Sequence, residues 1–291
     1  MFQRSFPIAF EAIDGLARIP PSRFVCPQRE TVRSLESFSL PSGLKSPFGL
    51  SSGGSGLSAP RAADGPKKLE LKAKHDFSPL GNERLSNERT VSRWGHTNLL
   101  GGIRKKPSMA SKAIGKLRWN TEDGLPEVYL VLESRLDDHD EVWLKIRIPR
   151  RPNGATGWVR EEQISNLKVV TTHLTIDRTK LRATLRKGGK VIWTSPIGVG
   201  AAGTPTPGGR FWIRERLRNL GGSPVYGPWA FGTAAYSKLS DWPGGGVVGI
   251  HGTNQPELIP GRPSHGCIRV PNPRIARLAR IMPVGTPVLI K

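Results

Sequence analysis

Apolar and polar residues alternate most clearly at Val142, Leu144, Ile146 and Ile148, between an Asp-rich turn and a Gly-containing one. Such period-two patterning predicts a short antiparallel strand with one buried face. Val128–Leu132 before it and 154–159 after it read as neighbouring strands. From 167 to 291 most apolar runs are also short and β-branched, among them Val191–Gly198, Val247–Ile250 and Val284–Ile290. One helix interrupts them. Asn272 is placed to cap it and Pro273 suits a first helical position; Ile275, Leu278, Ala279 and Met282 form its apolar face, and Pro283 stops it. Arg274, Arg277 and Arg280 then fall on the outer side, as a solvated face. Residues 1–110 show little periodicity and much Ser, Gly, Pro and Arg, densest at 37–65. A stretch of that composition cannot bury enough apolar surface to offset the entropy of ordering it, and it is expected to be disordered apart from a short helix near 29–38. The fold class is therefore mainly β.

Two segments carry chemistry: Val247-Val248-Gly249-Ile250-His251-Gly252-Thr253, and Ser264-His265-Gly266-Cys267-Ile268-Arg269-Val270. They put one cysteine, two histidines and one arginine within nineteen positions. A thiol attacks as thiolate, and with a free pKa of about 8.5 it needs an imidazole or a cation beside it to react near neutrality. His251 ends a strand-like run that would hold its ring rigidly. Gly252 has no side chain, so its carbonyl can approach a ring nitrogen and fix the tautomer, as a carboxylate or amide does in other triads. Gly266-Cys267 allows a tight turn whose N–H groups could face an oxyanion. Arg269, two residues on, would clamp a substrate carboxylate and favour the thiolate. Read in isolation, the residues leave His265 as a rival base, and a zinc site built from His251, His265 and Cys267 as a rival chemistry.

The net charge of +21 is uneven. Residues 167–291 hold 18 Lys and Arg against 4 Asp and Glu, whereas 111–166 hold 9 against 10. A positive field attracts polyanions. Nucleic acid is not expected, because no basic-aromatic platform, zinc-finger spacing or helix-turn-helix accompanies the charge. Two cysteines, Cys26 and Cys267, rule out a disulfide framework, and the thiol at 267 is expected to be reduced. No run approaches the roughly 20 apolar residues of a membrane span. The first residues fall short of a signal-peptide core.

The two segments resemble those of the L,D-transpeptidase catalytic domain, the YkuD-type family of peptidoglycan cross-linking enzymes. The resemblance runs from about Leu167 to Lys291. It takes in a hairpin-like opening (Leu174–Asp177, Leu181–Arg186, the turn Lys187-Gly188-Gly189-Lys190), the loop Gly203–Phe211, both motifs and the ending Val284–Ile290. It implies a β-sandwich-like domain at 167–291 with one main helix, Cys267 as nucleophile, His251 as general base and Gly252 as the carbonyl that orients it. His265, Gly266, Arg269 and Ser264 would shape the oxyanion site and substrate pocket, and the loop at 204–211 would border the groove. The implied activity is cross-linking of peptidoglycan stems through a cysteine thioester, with no metal or other cofactor. Stem peptides, and anionic wall polymers besides, are the expected partners, at an extracytoplasmic site. Trimming of stems by an L,D-carboxypeptidase, or wall binding without catalysis, is the alternative. The segment 116–166 is similar to bacterial Src-homology-3-like barrels, which either bind the wall or simply pack on the enzyme.

Overall fold

In this computed structural model, residues 17–18, 81–218, 222–240 and 243–291 are described. The expected helix near 29–38, Cys26 and most of the expected disordered region lie outside them.

Two sheets make up the described chain. The first has eight strands: β2 (Glu83–Arg84), β3 (Ser92–His96), β4 (Gly102–Arg104), β5 (Ala113–Lys116), β6 (Val128–Leu136), β7 (Val142–Arg147), β8 (Thr156–Arg160) and β9 (Lys168–Val170). They lie in the order β5-β4-β8-β7-β6-β3-β9, with β2 also paired to β6. The alternation at 142–148 does what the pattern demands: Leu144 and Ile146 are buried while Lys145 and Arg147 remain partly open. The sheet corrects the expected boundaries, because 81–110 contributes three strands and Lys168–Val170 a fourth. The physical reason is that these strands are short and carry single buried apolar residues, Trp94 in β3 and Ile103 in β4, too few to show a period. The register of β3 against β6 comes from the partner strand.

The second sheet runs β12-β11-β10-β19-β14-β15-β16-β18-β13-β17. Its strands are β10 (Thr172–Asp177), β11 (Arg182–Lys187), β12 (Lys190–Pro196), β13 (Gly198–Gly200), β14 (Gly209–Arg218), β15 (Trp229–Tyr236), β16 (Val247–His251), β17 (Gly261–Ser264), β18 (Ile268–Arg269) and β19 (Pro287–Ile290). The two-residue β1 (Ala17–Arg18) pairs with β14. The expected hairpin is present, with β11 and β12 antiparallel across Gly188-Gly189. The single α-helix, α1 (Asn272–Ile281), buries Ile275, Leu278 and Ala279 and exposes Arg274, Arg277 and Arg280. Asn272 is not its cap: Pro271 holds that position without a side-chain cap bond.

One apolar core joins Trp94, Val128, Leu130 and Val170 of the first sheet to Phe211, Trp212, Ile213 and Phe231 of the second. Ion pairs cross the same seam. Arg214, 2% exposed, donates from Nε to Glu127 Oε1 (2.7 Å) and from Nη2 to Glu127 Oε2 (2.5 Å), and it also pairs with Glu122 at 2.8 Å. Arg118 adds a further contact to Glu127 at 2.7 Å. Burial alone would raise the Glu122 pKa, but Arg214, the Tyr236 hydroxyl and Arg118 outweigh it and hold it down at about 2.

Glu215, the next residue, shows the opposite balance. Burial, with the Asp123 carboxyl close by, pushes its pKa up to about 8. Between the ordinary carboxylate value and about pH 8, the folded state keeps a proton that the unfolded chain has released. Stability therefore falls as pH rises through that window. Glu215→Gln is expected to flatten this loss, which urea denaturation at pH 5 and pH 8 would measure; an unchanged pH dependence would contradict it.

Candidate active site

Parallel pairing of β16 with β18 brings the two motifs together, with Ile250 opposite Ile268 and His251 opposite Arg269. Continuing that register puts Cys267 opposite Gly249, and the Gly249 N–H points at Cys267 Sγ, 3.4 Å away. Side chains alternate along a strand, so positions 249 and 251 share a face with 267 and 269. The imidazole and the thiol thus stand on one face, one diagonal apart, with no side chain at 249 between them. Cys267 is a reduced thiol, 4% exposed, and it packs with Tyr226.

His251 is 1% exposed, and its Nδ1 lies 2.6 Å from the Gly252 carbonyl oxygen. A carbonyl only accepts, so Nδ1 carries the proton and, in the neutral ring, Nε2 keeps its lone pair. Nε2 is buried and has no hydrogen-bond partner among the described residues. An imidazole nitrogen left open in this way is a poor structural element and a good base. Tyr226 packs edge-on against the ring at 5.1 Å between centroids, which fixes its plane.

Gly252 is required by close approach. A Cβ there would lie 2.4 Å from Asn272 Oδ1, 2.8 Å from Gly227 Cα and 3.0 Å from Tyr226 O. Asn272 Oδ1 accepts from the Thr253 N–H at 2.9 Å, so this side chain braces the turn after His251. Gly252→Ala is expected to cost about 1–3 kcal/mol, because two of the three obstructing atoms are backbone. Activity is expected to fall further than stability, since the displaced carbonyl is the group that orients His251. Melting curves and acylation rates measured together check this; a variant with wild-type kinetics would contradict it.

The turn ahead of the thiol is held from behind. Ser264 Oγ donates to the Cys267 carbonyl (2.6 Å) and accepts from the Gly266 N–H (3.2 Å). The Gly266 amide is thus engaged inside the turn, where the sequence reading had offered it to an oxyanion. Gly266 sits at φ +123°, a conformation that side-chain-bearing residues avoid. Thr206 Oγ1 donates to the Gly266 carbonyl (2.8 Å) and accepts from the Gly200 N–H (2.9 Å). Sequence reasoning placed the 204–211 loop beside the site but missed this hydroxyl, whose only sequence signal is a Thr between two prolines. Arg269 is 2% exposed and donates from Nη1 to Gln255 Oε1 at 3.1 Å. It stands opposite His251 in the β16–β18 pairing. His265 is half-buried. Trp212 and Phe231 belong to the core and not to the surface of the site. Among the described residues, no three His, Cys, Asp or Glu side chains gather as a metal ion would need.

The family model of the L,D-transpeptidase catalytic domain, YkuD, matches residues 171–290. Residues 171–290 are a YkuD-type L,D-transpeptidase catalytic domain. The putative L,D-transpeptidase YkuD of Bacillus subtilis is 39% identical to the chain over 118 residues, which are 40% of this chain and 65% of that protein. The putative L,D-transpeptidase YqjB of the same organism is 34% identical over 109 residues, 35% of this chain and 60% of that one. The chain therefore spans less than two thirds of the curated relatives it matches. The solved catalytic domain of an E. faecium L,D-transpeptidase is similar to 41% of this chain and to 96% of its own, at 28% identity and a TM-score of 0.31. In this transpeptidase domain both chemistry-bearing motifs fall inside the matched span.

Proposed function

We propose that the chain cross-links peptidoglycan stems as an L,D-transpeptidase, through a thioester on Cys267. The observation that carries this reading is His251, with Nδ1 held by the Gly252 carbonyl and a bare Nε2 on the face that bears the thiol. His251 Nε2 takes the thiol proton, and the thiolate attacks the carbonyl that joins the L-centre of the third stem residue to the following D-residue. A tetrahedral oxyanion forms beside the turn that carries Cys267, where each well-placed donor is typically worth about 3 kcal/mol. Collapse breaks the peptide bond, and the imidazolium returns its proton to the departing amine of the D-residue. The side-chain amine of a second stem then attacks the thioester, His251 accepts its proton, and the amide cross-link forms as the thiolate leaves.

Residues 81–170 serve in this reading as a small β-module that packs against the catalytic sheet. The site of action is the cell wall, outside the cytoplasmic membrane, and among the described residues no helix is long and apolar enough to cross that membrane. Incubation with tetrapeptide stems, followed by mass analysis, tests the reading. Cross-linked dimers support it, free tripeptide would make the protein a carboxypeptidase, and unchanged tetrapeptide alongside wall binding would make it a non-catalytic wall-binding protein.

A further inference from the structure

Beside the catalytic turn, a cleft of about 530 Å³ opens between the first sheet and the transpeptidase domain. Arg151 and Asn153 line it from the segment between β7 and β8, Thr206 and Arg178 from one wall of the domain, and Ser237 and Lys238 from the end of β15. Its lining includes three cationic side chains and no carboxylate. The cleft is built rather than incidental. Asn153 pairs with the Tyr236 backbone in both directions, donating from Nδ2 to the carbonyl (2.8 Å) and accepting at Oδ1 from the N–H (3.0 Å). Arg151 Nη2 donates to the Ser237 carbonyl at 2.9 Å, and the guanidinium lies 5.0 Å from the Tyr236 ring centroid. Arg178 Nη1 donates to the Thr206 carbonyl at 2.8 Å. Two of the lining residues also touch the nucleophile's turn. Thr206 Oγ1 bonds the Gly266 carbonyl, and Ser237 Cβ lies where it would contact a Cβ on Gly266, at 3.4 Å.

We propose that this cleft is a carboxylate-binding subsite for the part of a stem peptide that lies away from the scissile bond. The inference rests on the function proposed above and adds where the substrate runs. The cleft's inner end, at Thr206 and Ser237, adjoins Gly266, the residue before Cys267. The volume suits a short peptide segment, within the range usual for ligand sites. Cations spread over separate walls, interspersed with Asn, Ser and Thr, match carboxylates along a peptide whose amides also need partners. The first sheet thereby supplies part of the substrate site.

Lys238 is exposed, so its charge can be reversed with little demand on the fold, whereas Arg151 also braces the backbone at 237. The test is calorimetric binding of a synthetic tetrapeptide stem, with its side carboxylates free or amidated, to the full chain carrying Cys267→Ser, with and without Lys238→Glu. Lys238→Glu is expected to weaken binding of the free-carboxylate stem at least about fivefold, and less so in high salt. The amidated stem is expected to bind more weakly and to ignore the substitution. Equal affinity of both variants for the free-carboxylate stem, or no binding at all, overturns the subsite. So does loss of affinity for polyglycerol phosphate alone, which would give the cleft to a wall polymer. Failure of the functional reading shows separately, as the absence of any carbapenem adduct on Cys267 of the unmodified protein.

Discussion

Cys267→Ala is expected to lower stem turnover by at least about a thousandfold, to the level that binding and the surrounding dipoles sustain alone. His251→Gln is expected to cost nearly as much, and the double variant little more than either single one, because nucleophile and base act as a unit. The Cys267 side chain is small and packs with Tyr226 in a minor cluster, so Cys267→Ala should melt close to the wild type. That combination, intact fold with lost chemistry, separates a nucleophile from a core thiol. Rates with tetrapeptide stems and thermal melts of the same preparations measure it. A Cys267→Ala protein that keeps a tenth of the activity would refute the assignment.

The largest effect on stability is expected at Arg214. Arg214→Met leaves Glu127, which is fully buried, with only the half-open Arg118 against its charge. Removing one partner of a buried pair typically costs about 3–5 kcal/mol, far more than the pair itself contributes. The companion change Glu127→Leu should recover much of that loss, since an apolar pair of similar volume removes the uncompensated charge. Urea denaturation of the two single variants and the double one measures this coupling. Additive losses would contradict it. Because Arg214 ties the first sheet to β14, the single variant should also loosen the cleft that Arg151 and Asn153 help to form.

Much of this was legible in the sequence, for reasons that differ by residue. The hairpin across Gly188-Gly189 and the helix with Ile275, Leu278 and Ala279 inward follow from local periodicity and turn chemistry. His251, Gly252 and Cys267 were readable because their chemistry restricts residue type, and the structure adds the register that aligns their strands. What escaped depends on contacts distant in sequence. Strand β3 is placed by β6 and β9 by β3, and each brings too few apolar residues, Trp94 and Val170, to show a period. Asn272 looks like a helix cap from its neighbours but reaches across to Thr253. Thr206 supports Gly266 from sixty positions away, and Arg214 finds Glu127 across eighty-seven. The bond from Arg269 to Gln255, fourteen positions earlier, has no local signal either.

The central claim is that one sulfur is acylated by a stem peptide under the control of one imidazole. Intact-mass spectrometry of the protein, quenched in acid seconds after mixing with a tetrapeptide stem, tests it most directly. The account predicts a mass gain equal to the stem less its terminal D-residue, located by peptide mapping on Cys267 and absent in Cys267→Ala. A stem consumed without such an adduct, or an adduct mapped to any other residue, would contradict it.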